Sequence, residues 1–179
     1  MRVAICEYGA GNVCSVALAF ERLGAEIGGD PGTADLAVLP GVGSAAAAMR
    51  GLRARGLDDV LRARVAEGKP VLGICLGLQL ALEESEEDGG VECLGILPGR
   101  AVRLREGRVP RIGWAEVDEL AQVFYFAHSY AAETPAAIAT SEGIVAIARE
   151  GAFTGVQFHP EKSGAAGARF LESTCLSLV

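Results

Sequence analysis

Short apolar segments alternate with helical segments through the first half of the chain, and this alternation restricts the possible folds more than any other feature. Buried strands are predicted for three apolar runs, at residues 1–6, 35–39 and 70–74. Helical patterns separate and follow these runs: they extend to about residue 23, begin again after Ser44, and cover residues 57–67 and 75–83. This succession predicts an α/β fold of three layers, in which helices cover both faces of a doubly wound, mostly parallel sheet.

The second half of the chain has a different pattern, with closely spaced strands. Strands are predicted around residues 101–104, 122–130, 136–140, 144–149 and 153–158. Glu150-Gly151 lies between two of them and indicates a hairpin turn, so we expect an antiparallel portion of the sheet here. A last helix is predicted over residues 164–176, and the acidic residues 83–88 are interpreted as a solvated helix end and loop. No internal repeat or linker is visible, which predicts a single domain over residues 1–179.

The charge and the cysteine content argue against several classes of function. A formal net charge of −7 argues against nucleic acid as the main ligand. The apolar runs are too short, and too often broken by glycine, to span a membrane. The five cysteines are widely spaced and only two histidines accompany them, so we predict no metal and no cofactor. No signal peptide is visible before the first strand, and the expected location is the reducing cytoplasm.

The sharpest motif lies at the end of the third strand, where Gly73 and Gly77 flank Cys75. A strand followed by Gly-x-Cys-x-Gly and a helix is typical of a nucleophile elbow, with sulfur in place of the serine oxygen. Such a turn strains the backbone of the nucleophile and brings neighbouring segments close together, so small residues are needed on both sides. The start of the following helix would stabilise a thiolate and a developing oxyanion. The other four cysteines are interpreted as structural.

A thiol that is mostly protonated at neutral pH needs a base, and the chain offers two histidines for this role. A predicted strand delivers His159 to a sheet end, and Pro160 terminates that strand. Glu161 lies two residues further on, where its carboxylate can hold the imidazole tautomer and complete a Cys–His–Glu triad. His128 also lies at a predicted strand end, and we interpret it as a structural histidine or as part of the wall of the site.

These motifs together resemble those of the class I, or triad, glutamine amidotransferases. GICLGLQ at residues 73–79 and GVQFHPEKS at residues 155–163 are similar to the nucleophile and His/Glu motifs of that family. Within it, the chain most resembles the glutaminase subunits of imidazole glycerol phosphate synthase. That resemblance is carried by YGAGN at 8–12, PGVGS at 40–44, PRIGW at 110–114 and YFAHSY at 125–130. It extends in order over nearly the whole chain.

The resemblance implies a role for each matching residue. Cys75 would attack the glutamine carboxamide and form a glutamyl thioester. His159 would protonate the leaving ammonia and then activate water, while Glu161 would orient His159. The oxyanion hole would combine the N–H of Leu76 with a backbone N–H of the loop at residues 40–43. The residues expected to line the site and bind L-glutamine are Gly41, Val42, Gly43, Gln79, His128, Ser129 and Tyr130.

The same resemblance implies a protein partner. This partner would be a cyclase subunit with a (β/α)8-barrel fold, which receives ammonia through an internal tunnel. The products would be imidazole glycerol phosphate and an aminoimidazole carboxamide ribotide, in histidine biosynthesis. Asn12 and Lys162 match family positions at the interface between the two subunits. Glu7, Ala45 and Ala115 depart from the family pattern near the predicted interface and loops, and none of them belongs to the triad.

Three alternatives stay open at this point. The first alternative is the glutaminase subunit of another ammonia-channelling complex, such as pyridoxal phosphate synthase, although PGVGS fits that subunit poorly. A stand-alone cysteine hydrolase of the same fold would need no partner for its activity. A non-catalytic binding module would have kept the fold without any need for the triad.

Overall fold

The computed structural model describes residues 1–9 and 13–176. Its helices are α1 (Val13–Glu21), α2 (Ala45–Ala54), α3 (Leu57–Ala66), α4 (Leu76–Ala81) and α5 (Gly164–Leu176). Its strands are β1 (Arg2–Ile5), β2 (Glu26–Ile27), β3 (Leu36–Leu39), β4 (Val71–Ile74), β5 (Glu84–Ser85), β6 (Val91–Glu92), β7 (Arg100–Arg103), β8 (Arg111–Val117), β9 (Gln122–His128), β10 (Tyr130–Glu133), β11 (Ala137–Ser141), β12 (Ile144–Glu150) and β13 (Phe153–Val156). Within these two ranges, no helix has the length and apolar character needed to cross a membrane.

The main sheet has seven strands in the order β11-β12-β13-β4-β3-β1-β2. Five of them, from β13 to β2, run parallel to one another. The hairpin at Glu150-Gly151 turns β12 antiparallel to β13, and β11 is antiparallel to β12. The prediction of a mostly parallel sheet with an antiparallel portion from the second half is therefore confirmed.

The two faces of this sheet are covered by different helices, which gives the predicted three layers. Side chains alternate along β3, so that Leu36 and Val38 belong to one hydrophobic cluster while Ala37 and Leu39 belong to the other. The first cluster includes residues of α1 and α5, and the second includes residues of α2, α3 and α4. Because both faces are buried, the strands read as continuous apolar runs, which is why they were recognisable in the sequence.

Several strands of the second half lie outside the main sheet, and this was not predicted. β7 and β10 form a four-stranded sheet with β5 and β6, while β8 and β9 form a two-stranded sheet. The strand predicted over residues 122–130 is interrupted at Ser129, whose carbonyl accepts a hydrogen bond from the N–H of Leu104. The chain therefore leaves β8 at this point and pairs with β7 instead.

The acidic residues 83–88 are not simply a solvated helix end and loop. Glu84–Ser85 forms a short strand, and the carboxylates of Glu87 and Asp88 accept hydrogen bonds from the first N–H groups of α2, at Ala45 and Ala46 (2.8 and 3.2 Å). Partial burial raises the pKa of Glu87. Carboxylates at a helix N-terminus satisfy N–H groups that have no partner within the helix, so these residues fix the start of α2.

Candidate active site

Cys75 lies at the tight junction between β4 and α4, as the sequence predicts. Its backbone has φ 52° and ψ −104°, a conformation with positive φ that residues other than glycine rarely adopt. The N–H of Cys75 continues the parallel pairing with β13 through a hydrogen bond of 2.7 Å to the carbonyl of Val156. The strained residue is therefore held by the two central strands of the sheet, and strain of this kind is typical of functional positions.

The two glycines around Cys75 are required by close contacts. A Cβ on Gly73 would lie 2.7 Å from the ring of Phe153 and 2.8 Å from the carbonyl of Gly77. A Cβ on Gly77 would overlap the carbonyl oxygen of Leu39. Glycine is thus required at both positions, as the motif predicts, because β3, β4 and α4 approach one another too closely for any side chain there.

His159 and Glu161 reach Cys75 from the segment that follows β13. The imidazole of His159 interacts with the Cys75 side chain by hydrogen bonding and by charge, and its Nδ1 lies 2.8 Å from Oε1 of Glu161. The side chains of His159 and Glu161 are only 4% and 2% exposed. Oε2 of Glu161 is also buried and has no hydrogen-bond partner in the described part of the chain, so this carboxylate acts mainly on the imidazole.

The charge state of His159 follows from these contacts. Burial alone lowers the pKa of His159, but the hydrogen bonds to Cys75 and Glu161 and the negative charge of both groups outweigh burial and raise it to about 9. At neutral pH the imidazole is therefore protonated when the sulfur beside it is ionised. An imidazolium next to a cysteine favours the thiolate, which is the nucleophilic form.

The loop at residues 40–43 lies against the start of α4. Gly41 contacts Leu76 and Gly77 so closely that a Cβ would lie 2.7 Å from the N–H nitrogen of Gly77. Gly43 has φ +99° and open space around it. Upstream, the buried hydroxyl of Tyr8 donates a 2.6 Å hydrogen bond to the carbonyl of Pro40. The loop is thus held at Pro40 and Gly41, whereas a side chain at Gly43 would meet open space.

The opposite wall of the site is organised around the carbonyl of Tyr130. This oxygen accepts hydrogen bonds from Nδ1 of His128 (2.9 Å) and from Nε2 of Gln79 (2.8 Å). Burial and the positive charge of Arg111 lower the pKa of His128 to about 4, although the bond to Tyr130 opposes them. His128 is therefore neutral at physiological pH, which agrees with its interpretation as part of the wall rather than as the base.

The two residues predicted at a partner interface have different outcomes. Asn12 lies outside the described residues. Lys162 is exposed in the short 3-10 turn Pro160–Lys162, and its Nζ lies 6.0 Å from the centre of the Tyr125 ring. Tyr125 in turn contacts His159, with 6.4 Å between ring centres. Lys162 therefore marks a surface only one aromatic side chain away from the buried triad.

That surface contains apolar side chains that the sequence interpretation did not single out. Ile112, Trp114 and Val123, on the two strands β8 and β9, are 60%, 59% and 47% exposed. We call these three residues the Trp114 face. The ring of Trp114 packs edge-on against Tyr125 at 5.8 Å. In the sequence, the only trace of β8 is a weak period of two, in which the larger side chains of Ile112, Trp114 and Glu116 alternate with Gly113 and Ala115.

Other features of the described structure do not mark a second reaction centre. Across residues 1–9 and 13–176, no three His, Cys, Asp or Glu side chains are grouped as metal ligands. A groove of about 870 Å³ lies between β7, β8 and β12, and five arginines are among its 16 lining residues, but it contains neither Cys75 nor His159.

Comparison with known proteins agrees with this geometry. The family model described as "Glutamine amidotransferase class-I" matches residues 20–178. The chain is 40% identical over 190 residues to the imidazole glycerol phosphate synthase subunit HisH of Exiguobacterium sibiricum, with 98% of this chain and 97% of the relative covered. The chain belongs to the HisH family of class-I glutamine amidotransferases. The subunit HisH of Herpetosiphon aurantiacus is 42% identical over 192 residues, which cover 94% of this chain and 91% of that relative.

Solved structures support the same fold independently of close sequence similarity. A crystal structure of a glutamine amidotransferase superposes on this chain with a TM-score of 0.78 at 22% identity, covering 98% of this chain and 97% of the other. At this identity the likeness shows the fold alone. The α/β architecture predicted from the sequence is therefore that of the class-I glutamine amidotransferases, and the chain is an enzyme of that class.

Proposed function

We propose that this chain is the glutaminase subunit of an imidazole glycerol phosphate synthase, which hydrolyses L-glutamine and delivers ammonia to a cyclase subunit. The observation that carries the proposal is the buried series of contacts from Cys75 through His159 to Glu161. A nucleophile, a base and a group that orients the base are the three parts required for acyl transfer through a covalent intermediate. HisH relatives at about 40% identity carry the name of this synthase.

In the first half of the reaction, the Cys75 sulfur attacks the carboxamide carbon of glutamine. The carbonyl oxygen becomes an oxyanion, which the N–H of Leu76 and a backbone N–H of residues 40–43 stabilise. The imidazolium of His159 then donates its proton to the departing nitrogen, so that the C–N bond breaks and ammonia leaves. The pKa of about 9 for His159 suits this step, because the proton is already on the ring when the thiolate attacks.

In the second half, the glutamyl thioester on Cys75 is hydrolysed. Neutral His159 takes a proton from water, the resulting hydroxide attacks the thioester carbon, and the C–S bond breaks to release glutamate and restore the thiolate. Throughout, Glu161 holds Nδ1–H of His159 and keeps Nε2 available for the reacting atoms. The five free cysteines suit a reducing compartment, so we assign the reaction to the cytoplasm.

Glutamine is held, in this proposal, between the loop at residues 40–43 and the wall formed by Gln79, His128, Ser129 and Tyr130. The wall offers backbone groups and a neutral imidazole rather than charged side chains, which suits an uncharged carboxamide. Both N–H groups of the Gln79 amide are engaged inside the protein, with Tyr130 and Gln157, so Gln79 shapes the wall more than it donates to the substrate. No cofactor takes part, since acyl transfer needs only the triad and the oxyanion hole.

The partner is proposed to be a cyclase of (β/α)8-barrel fold that docks on the Trp114 face, with Lys162 at its edge. Exposed apolar side chains that adjoin a reaction centre are typical of an interaction surface. Tyr125 lies between Trp114 and His159, so the triad that releases ammonia is close to this face. A docked partner would keep ammonia from being protonated and lost in solvent, and the cyclase would use it to make imidazole glycerol phosphate.

The experiment compares glutamate release by the chain alone, by the chain with the cyclase subunit, and by the chain with cyclase and its nucleotide substrate. We expect little release by the chain alone and a rise of at least about tenfold in the complete mixture. Trp114→Ala should weaken association with the cyclase by about ten- to a hundredfold. Ile138→Ala serves as the control, because Ile138 is an exposed apolar residue on β11, outside the Trp114 face.

Three outcomes would contradict the proposal in different ways. Full activity of the isolated chain, unchanged by the cyclase, would favour a stand-alone cysteine hydrolase. Unaltered glutamate release by Cys75→Ala would remove the assigned nucleophile altogether. Activation by a partner that makes pyridoxal phosphate, and not by the cyclase, would identify the other ammonia-channelling complex.

A further inference from the structure

We propose that Gln157 is a further catalytic residue, which donates a hydrogen bond from its side-chain amide to the sulfur of Cys75 and stabilises the thiolate. This inference rests on the proposed function, because it takes Cys75 as the nucleophile. Gln157 lies one residue beyond β13 and two residues before His159. Its Nε2 lies 3.5 Å from Sγ of Cys75, which is an ordinary distance for an N–H to sulfur hydrogen bond.

Burial makes this contact significant. Gln157 is completely buried, and Cys75 is 6% exposed. The backbone N–H of Gln157 donates to the carbonyl of Ala146 at 2.8 Å, so the residue is fixed to β12 as well as to the sulfur. A buried amide that loses its hydrogen bonds is costly, and water has little access to replace a missing partner here. The side chain is therefore held in one place by its surroundings.

The direction of the amide follows from the hydrogen bonds behind it. The carbonyl of Tyr130 can only accept, so Gln79 must present its NH2 group to it, at 2.8 Å. The second N–H of the same group points to Oε1 of Gln157, at 3.1 Å. Gln157 consequently turns its own NH2 group to the sulfur of Cys75. The carbonyl of Tyr130, which is 51 residues from Gln79 in sequence, thus sets the direction of both hydrogen bonds that follow it, from Gln79 to Gln157 and from Gln157 to the sulfur of Cys75.

The other contacts of the sulfur show why such a donor matters. The carbonyl of Ala127 lies 3.8 Å from Sγ and can accept a hydrogen bond from the thiol, but it offers nothing to a thiolate. Within the described residues, the side chains that can donate to an ionised sulfur are His159 and Gln157. When His159 gives its proton to the leaving ammonia, Gln157 remains as a fixed donor that aims the sulfur. Hydrogen bonds to charged acceptors are roughly twice as strong as neutral ones, so the donor favours the thiolate over the thiol.

The test is the pH dependence of Cys75 alkylation by iodoacetamide, an uncharged reagent that reacts with the thiolate. The alkylation rate is measured on the full chain at a series of pH values, and the Cys75 peptide is quantified by mass spectrometry so that the other four cysteines do not contribute. In Gln157→Met, which keeps the length of the side chain but lacks a donor, the midpoint of the pH profile should rise by about one to two pH units. Gln122→Met is the control, since Gln122 lies at the surface end of β9, and its midpoint should stay at the wild-type value.

A second measurement needs no substitution at position 157 and covers the case in which that variant does not fold. In the wild-type chain, the side-chain amide resonances of Gln157 should shift with pH at the midpoint found for Cys75 alkylation, and this shift should disappear in Cys75→Ala. Resonances that do not follow the sulfur, or an unchanged alkylation midpoint in a folded Gln157→Met, would overturn the role of Gln157. Neither result would affect the proposed function, which fails only if Cys75 itself is not the nucleophile.

Discussion

The two histidines of the chain are buried to nearly the same degree, yet their surroundings give them opposite properties. His159 is 3% exposed and His128 is 5% exposed. Burial lowers the pKa of both rings, but His159 has a thiol and a carboxylate as partners and reaches about 9, whereas His128 has a backbone carbonyl and a nearby arginine and falls to about 4. The difference teaches that the chemistry of the partners, and not the depth of burial, decides which histidine carries a proton at neutral pH.

His159 and His128 therefore have different tasks in the site. His159 can both give and accept a proton during a catalytic cycle, because its partners change charge as the reaction proceeds. His128 has its Nδ1–H committed to Tyr130 and is neutral, so it contributes shape and a fixed dipole to the wall of the site.

The largest effect is expected from replacing each histidine by glutamine. His159→Gln should lower kcat for glutamate release, measured with the cyclase present, by about 10⁴-fold or more, because the general acid and base is lost. His128→Gln is the matched control: its amide can still donate to the Tyr130 carbonyl, so we expect less than about a tenfold change. Comparable losses in the two variants would mean that the roles of the two histidines are not distinct.

A smaller effect is expected from Glu161→Gln, which keeps the shape and a hydrogen-bond acceptor but removes the charge. The pKa of His159 should fall, because Glu161 is one of the groups that raise it, and kcat should fall by about 10²- to 10³-fold. An NMR titration of the two ring resonances checks the first part and steady-state kinetics the second. The hydrogen-bond partner of His128 in the described structure is the carbonyl of Tyr130, so the midpoint of the His128 titration should move much less than that of His159. A His159 midpoint that stays near its wild-type value in this variant would refute the account of its raised pKa.

The smallest effect is expected in the pH dependence of stability. The pKa of His159 is raised above its ordinary value of 6.5, so its stabilising contribution is complete below pH 6.5 and is lost as the pH rises through about 9. The pKa of His128 is lowered, so its contribution is complete above pH 6.5 and is lost as the pH falls towards about 4. The free energy of unfolding should be measured by urea denaturation from pH 4 to pH 10. It should depend less on pH above pH 6.5 in His159→Gln, and less on pH below pH 6.5 in His128→Gln. A loss of pH dependence over the same pH range in both variants would contradict the opposite pKa shifts of His159 and His128.

The parts of the site that the sequence predicted are those with local signals. Gly73, Cys75 and Gly77 lie within five residues, and the strand before them is one apolar run, so the turn and its glycine contacts were visible without a structure. His159 and Glu161 are two residues apart at the end of a strand, which is enough to place them on one side of an extended segment. The alternation of strands and helices then brought both motifs to the same edge of a parallel sheet.

The parts that were missed depend on contacts between distant segments. Gln157 meets Cys75 across 82 positions, and Glu87 meets Ala45 across 42, so neither pairing leaves a periodic pattern in the sequence. The strand β8 was missed because glycine, here Gly113, is unfavourable within strands and because the exposed Ile112 and Trp114 are apolar where an isolated sheet would show polar residues. Its role becomes visible only once Tyr125 is seen to connect the Trp114 face with His159.

The central claim is that Cys75, activated by His159, forms the covalent intermediate. The most direct measurement is labelling with a glutamine analogue that carries an electrophilic carbon in place of the carboxamide, followed by peptide mapping of the complex with the cyclase. The account predicts one adduct, on the peptide that contains Cys75, which is lost in Cys75→Ala and is strongly slowed in His159→Gln but not in His128→Gln. An adduct on a different residue, or labelling that persists in Cys75→Ala, would contradict it.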